Sequence, residues 1–268
     1  MEETNPTLQP EQTQPDSFYT RYYASVAGSH ANGTYCERLF GANFCQHGFC
    51  ELSHLNHLIQ VMGLRAGLRA LDLGCGNGGI AEYIAVQSGA YVAGIDLAPE
   101  AIRQAWPRAQ AKPELLRFQV MDIARLDFPE ECFDVILAID TLYFTPLAET
   151  LPNLVSLLKP GGRMGIFWSQ GADPWVPIEV FDKSTCHPDR TELAVELQRL
   201  GLAYQTWDYG RIDYEHARRK QQIAEDLRPQ FEAEGSLFLC EDHLAEAKWV
   251  QEAFEAGAHS RFLYRFEI

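Results

Sequence analysis

The sequence predicts an α/β fold, a mostly parallel sheet covered by helices on both faces. Three observations predict it. Short apolar runs alternate with segments whose apolar residues recur at helical spacing. A glycine-rich turn, Gly74-Cys75-Gly76-Asn77-Gly78-Gly79, follows the first run, and acids stand at or just after the ends of the next three, at Asp96, Asp122 and Asp140. Strand–helix alternation is the mark of crossover units, whose parallel strands are buried on both sides and so read as continuous apolar stretches.

Taken in order, residues 18–62 read as helical with a glycine-containing break at 41–48. Strands follow at 70–73, 91–95, 115–121, 133–139 and 163–168, with helices at 80–87, 99–109 and 147–158 between them. Pro160-Gly161-Gly162 ends the last of these helices with a turn. A fourth helix, Thr191–Leu200, is stopped by Gly201 and leads to a strand at 204–208. The period then changes: Tyr214–Glu234 and Asp242–Ala256 are long amphipathic helices, and Arg261–Phe266 alternates like a terminal strand. Two helices inserted before a last strand do not belong to the sheet layers. They are expected to cap the carboxyl edge, where an open sheet has its ligand crevice. The division is a disordered tail (1–16), an N-terminal helical lid (17–64), a core (65–212 with 259–268) and a helical cap (213–258).

The bulk numbers bound the class. With 268 residues, 46% hydrophobic, the chain can bury one large core with a small appendage. It has no apolar run long enough to span a membrane, and its polar, proline-rich start is unlike a signal peptide. A formal charge of −15 disfavours nucleic acid, which needs a basic stripe. Seven scattered cysteines suit reduced thiols, so the expected location is cytoplasmic. A homo-oligomer is compatible with all of this.

The glycine turn has two readings. Gly74, Gly76 and Gly79 satisfy G-x-G-x-x-G, so a dinucleotide must be weighed, and Asp96 would hold ribose hydroxyls in either case. Asp72 discriminates: two residues before the first glycine, it suits a ligand with a cationic amino group and would repel a pyrophosphate. Asp122, just past the third strand, is placed to accept from an exocyclic adenine amine. Phe133–Asp140 is a fourth strand ending in another acid.

Leu71–Gly79, Asp96, Asp122, Phe133–Asp140 and Leu158-Lys159-Pro160-Gly161-Gly162 together resemble the ordered motifs of class I S-adenosylmethionine-dependent methyltransferases, over about residues 65–170. The resemblance implies a Rossmann-like seven-stranded sheet with an antiparallel last strand and S-adenosyl-L-methionine over its carboxyl edge. It also implies roles. Gly74, Cys75, Gly76 and Gly78 line the methionine and ribose, and Asp72 faces the amino group. Asp96 takes the ribose hydroxyls, Leu97 packs on adenine, Asp122 with Ile123 reads the adenine edge, and Asp140 closes the set.

The stretch from Phe44 to His57 holds two cysteines and three histidines. At 100° per residue, Cys50, His54 and His57 share a helix face opposite Phe49, Leu52, Leu55, Ile59 and Met62, so the histidine row is expected to point away from the core. No distant second ligand pair exists, and no metal is expected. Tyr22-Tyr23, Tyr35–Gly41 and the loop Cys45-Gln46-His47-Gly48-Phe49 are instead similar to the amino-terminal lid of small-molecule methyltransferases for sterols, tocopherols, sarcosine or isoprenyl diphosphates. The loop departs from their more usual Ser-x-His-Phe-Gly. In those relatives the tyrosines and loop close over the cofactor and face the acceptor.

Methyl transfer from a sulfonium needs chiefly alignment, and a base only where the acceptor holds a proton. His47 leads as that base, with Tyr143, Glu51 and His216 behind it. Phe144, Trp168, Trp175, Phe181, Phe231 and Trp249 are expected around the acceptor, and His216–Lys220 is read as a solvated helix face. The expected activity is methyl transfer to carbon, oxygen or nitrogen of a small, natural-product-like metabolite. Alternatives are an amine acceptor such as a glycine derivative or a phospholipid head group, an NAD(P)-dependent oxidoreductase, or a non-catalytic ligand-binding relative.

Overall fold

The computed structural model describes residues 15–172 and 177–268, with side chains from residue 18. Three helices come first: α1 (Pro15–Val26), α2 (His30–Phe40) and α3 (Leu52–Val61). Ser29 caps α2 by accepting from Asn32 N, and Gly41, left-handed at φ 85°, ends it. The sheet elements follow as β1 (Arg69–Leu73), α4 (Gly79–Ser88), β2 (Tyr91–Asp96), α5 (Pro99–Ala111), β3 (Leu116–Val120), β4 (Phe133–Ile139), α6 (Leu147–Leu157), β5 (Leu158–Gly171), α7 (Glu192–Arg199) and β6 (Tyr204–Asp208). The chain closes with α8 (Gly210–Ala233), α9 (Leu237–Glu255) and β7 (His259–Glu267).

The described residues form one seven-stranded sheet in the order β3-β2-β1-β4-β5-β7-β6. Strands β1 to β5 run parallel, and β7 runs antiparallel between β5 and β6. This is the Rossmann-like arrangement with an inverted last strand. Leu71, Leu73, Ile136 and Ala138 bury one face against α6 and α7. Ala70, Val92, Val135 and Leu137 bury the other against α3, α4 and α5. A third apolar cluster joins α1 and α2 to α8 and α9 through Tyr22, Tyr35, Phe40, Leu227 and Phe231. The two helices inserted before β7 therefore bury their apolar sides against each other and against the N-terminal helices.

Two local expectations change. The Pro160–Gly162 turn lies inside β5, where it bulges: Phe133 pairs with Leu158 but Val135 with Arg163, and Gly161 takes φ +74°. The helix before it ends earlier, at Leu157. The histidine face of α3 is also corrected. His54 is 1% exposed and packs edge-on against Tyr209 at 4.7 Å, while Leu52 and Ile59 are only half-buried. His57 Nδ1 meets the Tyr209 hydroxyl at 2.5 Å. The face opposite the aliphatic row is covered by the start of α8 and by β6, which periodicity within α3 cannot reveal. The tail expectation falls mostly on residues 1–14, outside the described residues, and α1 already begins at Pro15.

Candidate active site

The cleft opens where β1, β2 and β4 end. After Leu73 the chain turns through Gly74 and Gly76 at φ +66° and +56°, values that L side chains resist. A Cβ on Gly74 would fall on Thr141 Oγ1, and one on Gly76 on the Tyr23 hydroxyl. The turn therefore meets the cleft as bare backbone. Four of its N–H groups are engaged: Cys75 N donates to Ile95 O, Gly76 N to Asp96 Oδ2, Gly78 N to Cys75 O and Gly79 N to Asn77 Oδ1. An anion-binding nest needs such groups free.

Two adjoining cavities make up the cleft, with Tyr23, His47, Gly74, Ile139 and Asp140 in both walls. The first lies between the glycine turn and the loop from Phe44 to Gly48, and includes Asp72, Cys75 and Gly76. The second is lined by Tyr19, Asp96, Leu97, Asp122, Ile123 and Phe144, among others. Leu97 and Phe144 are apolar surfaces turned outward, 47% and 51% exposed.

Asp72 is 2% exposed, and its Oδ2 has no hydrogen-bond partner. Burial first, and the nearby Asp96 second, push its carboxyl up to about 7. Asp96 clasps the two sides of the cleft, accepting from Gly76 N at 2.8 Å and from Ala98 N at 2.9 Å. Asp122 accepts from Ala124 N at 2.9 Å, which fixes the turn after β3.

Asp140 stands at the cleft floor with φ +53°, a strained setting for a non-glycine residue. Arg261 holds it there from β7: Nε donates to Oδ1 at 3.1 Å and Nη2 to Oδ2 at 2.7 Å. Arg261 is 0% exposed, and its Nη1 donates to Asp213 Oδ1 and to Phe49 O. Burial works against both acids. Asp213, with Arg261 and His259 opposite it, is held low, whereas burial leaves Asp140 raised despite the guanidinium.

The lid loop crosses this floor at Gly48, where a Cβ would sit 3.2 Å from Asp140 Oδ2. His47 lines both cavities, meets Asp242 Oδ2 through Nε2 at 2.9 Å, and sits edge-on to the rings of Phe18, Tyr19 and Tyr22.

The structure thus brings Tyr23, His47, Asp72, Gly74, Cys75, Gly76, Asp96, Leu97, Asp122, Ile123 and Asp140 to one cleft. It does not bring Glu51, Tyr143, Tyr22 or Gly78 to its walls. Glu51 faces α8 instead, and its bond to His216, with Ser53 and Arg219 beside it, lowers its carboxyl to about 2. Tyr22 is buried and donates to Gln46 O, steadying the loop from behind. Gly78 caps α4 at φ +76°, with room for no Cβ because Phe118 Cζ would lie 2.5 Å away. The Tyr143 hydroxyl is engaged, donating to Asp140 Oδ1 and accepting from Ser169 N. Among the aromatics expected around the acceptor, Phe144 lines the cleft, but Trp168 and Phe231 are core side chains; Trp175 lies outside the described residues. His216 and Lys220 are buried, not solvated. Among the described residues no three His, Cys, Asp or Glu converge as a metal site. Tyr19, Gln46, Thr141, Asp242 and Arg261 were missed. Only Arg261 left a signal, a charge on the face of the last strand opposite Phe262, Tyr264 and Phe266.

Residues 71–166 match a family described as a methyltransferase domain. Sterol 24-C-methyltransferase ERG6B of Gibberella zeae is 26% identical over 196 residues, 70% of this chain and 49% of the relative. Phosphoethanolamine N-methyltransferase 1 of Triticum aestivum is 29% identical over 242 residues, 90% of this chain and 45% of the relative. The chain thus spans about half the length of these curated relatives. Haemonchus contortus phosphoethanolamine N-methyltransferase 2, solved in complex with S-adenosyl-L-methionine, shares the fold with a TM-score of 0.64 at 19% identity, covering 93% of this chain and 59% of that one. Motif order, sheet order and family match agree on the fold of class I methyltransferases, with a methyltransferase domain matched at residues 71–166.

Proposed function

We propose that the cleft binds S-adenosylmethionine and that the chain transfers its methyl group to a carbon, oxygen or nitrogen nucleophile of a small metabolite. One observation carries the reading: a buried, unpartnered Asp72 oxygen beside a turn with no Cβ to obstruct a ligand. An orphan carboxylate of this kind costs stability unless a donor meets it, and a cationic amino group is such a donor. Asp96 would hold ribose hydroxyls, and Leu97, Asp122 and Ile123 would enclose the adenine. When bound, the cofactor supplies an electrophilic methyl, which leaves in line while the C–S electron pair returns to sulfur.

The residues common to both cavities, Tyr23, His47, Gly74, Ile139 and Asp140, surround the junction where the acceptor must approach. Holding it there can supply roughly 7–11 kcal/mol of barrier reduction. His47, oriented by Asp242, is placed to take a proton where the acceptor holds one. Tyr143, outside the cavity walls and with its hydroxyl bonded twice, steadies Asp140.

A dinucleotide is the rival occupant. The engaged N–H groups of the glycine turn and the carboxylate beneath them both oppose a pyrophosphate. A thermal-shift comparison tests this. S-adenosylmethionine and S-adenosylhomocysteine are expected to raise the melting temperature and NAD to leave it unchanged; a shift with NAD alone rejects the reading. Binding without turnover on any acceptor would favour a non-catalytic relative.

A further inference from the structure

We propose, resting on the methyl-transfer reading, that the acceptor is an amine that carries no phosphate. The cleft walls contain four carboxylates (Asp72, Asp96, Asp122, Asp140) and His47, and among the described residues no lysine or arginine lines them. Residues 1–14 and 173–176 contain no Lys, Arg or His, so they add no basic side chain. Of the basic groups behind the walls, Lys220 is 1% exposed and bonded to Glu246, and Arg261 is shared between Asp140 and Asp213. His47 faces Asp242, and Arg219 lies outside the cleft on Glu51. A phosphate entering here would meet no unpaired lysine or arginine, and four N–H groups of the glycine turn are already engaged, although phosphate recognition draws on such groups.

The cleft offers aromatic surface and acidic charge close together. Tyr19 lines the second cavity, and burial chiefly, with the charges of Glu246, Asp140 and Asp242 added, raises its hydroxyl. The Tyr19 and Phe144 rings stand 5.8 Å apart at 80°, giving aromatic surface beside those acids, a combination that attracts organic cations. Gln46 supplies an independent sign of a missing donor. It is 8% exposed and lines the cleft; its Nε2 donates to Cys50 O, and its Oε1 has no partner. A buried carbonyl oxygen in this state calls for an N–H or O–H from a ligand.

An ammonium must lose a proton before it can attack. With Nε2–H directed at Asp242, His47 keeps its lone pair on Nδ1. The N–H bond of the acceptor breaks, the proton passes to Nδ1, and Asp242 faces the resulting imidazolium. The freed lone pair then forms the N–C bond as the C–S bond breaks.

The test is calorimetric titration of the full chain saturated with S-adenosylhomocysteine, using two matched pairs: ethanolamine with phosphoethanolamine, and phenethylamine with phenyl phosphate. Each phosphate-free amine is expected to bind at least about tenfold tighter than its partner, a difference of about 1.4 kcal/mol. Glu246→Gln, which leaves Lys220 without its counter-ion, is expected to narrow that preference while S-adenosylhomocysteine still binds. A phosphate probe that binds as tightly as its partner, an amine undetected at millimolar concentration, or an unchanged preference in Glu246→Gln would each overturn the proposal. Failure of S-adenosylhomocysteine itself to bind would instead reject the methyl-transfer reading.

Discussion

An aspartate raised to about 7 by burial and by Asp96, as Asp72 is, titrates near neutrality rather than near 4. In the unfolded chain it ionises first, so the folded state loses stability as pH rises between the two values. Asp72→Asn is therefore expected to raise the melting temperature of the unliganded protein at mildly alkaline pH. Removing an unpaired buried charge is worth roughly 1–3 kcal/mol, and the same change should abolish S-adenosylhomocysteine binding. In the wild type, affinity should weaken below about pH 7 by as much as tenfold per unit, because a protonated Asp72 cannot accept from an ammonium. Calorimetry across pH checks both effects, and a pH-independent affinity would contradict the role. His47→Ala is expected to lower kcat by roughly 10²–10⁴-fold with an acceptor that must lose a proton. Unchanged kcat and KM would remove His47 from the chemistry. That Asp72, Asp96 and Asp122 meet at one cleft was legible because they stand at fixed offsets from the ends of parallel strands. Gln46 and Asp242 were not, since their meaning arises only once loop and cap are folded together.

Elements of the sheet were readable from the sequence because buried parallel strands are continuous apolar runs, and Gly41, Gly89 and Pro99 punctuate the helices around them. The errors share one cause, the partner of a helix face. The α3 histidines read as solvent-facing but pack on Tyr209, and Lys220 read as exposed but lies between α8 and α9 against Glu246. A buried lysine in an apolar helix interface is destabilising if its partner is lost. Lys220→Met is expected to cost about 3 kcal/mol or somewhat less, since Glu246 keeps 27% of its side-chain exposure. The double variant Lys220→Met with Glu246→Leu should recover most of that loss in denaturant titrations. A single variant as stable as the wild type would show that the pair contributes nothing.

Across the molecule, Arg261 joins four parts distant in sequence: β7 that bears it, Asp140 after β4, Asp213 in α8 and Phe49 O in the lid loop. It also lies 4.6 Å from the Phe167 ring centroid. The loop before α3, the start of α8 and the carboxyl edge of the sheet thus share one buried charge. Arg261→Met leaves two buried acids unpaired and is expected to cost roughly 3–5 kcal/mol. Hydrogen exchange should quicken at residues 44–51 and 210–217 before it does so in the central strands. Uniform quickening would argue for a general loss of stability without a specific tie. Glycine turn, strand-end acids and lid together make one claim, that the cleft is shaped for a phosphate-free, cationic nucleoside. A crystal structure with S-adenosylhomocysteine tests it most directly. The account predicts the amino group at Asp72, the ribose hydroxyls at Asp96 and the adenine against Leu97 and Ile123; a ligand bound elsewhere, with Asp72 still unpartnered, would contradict it.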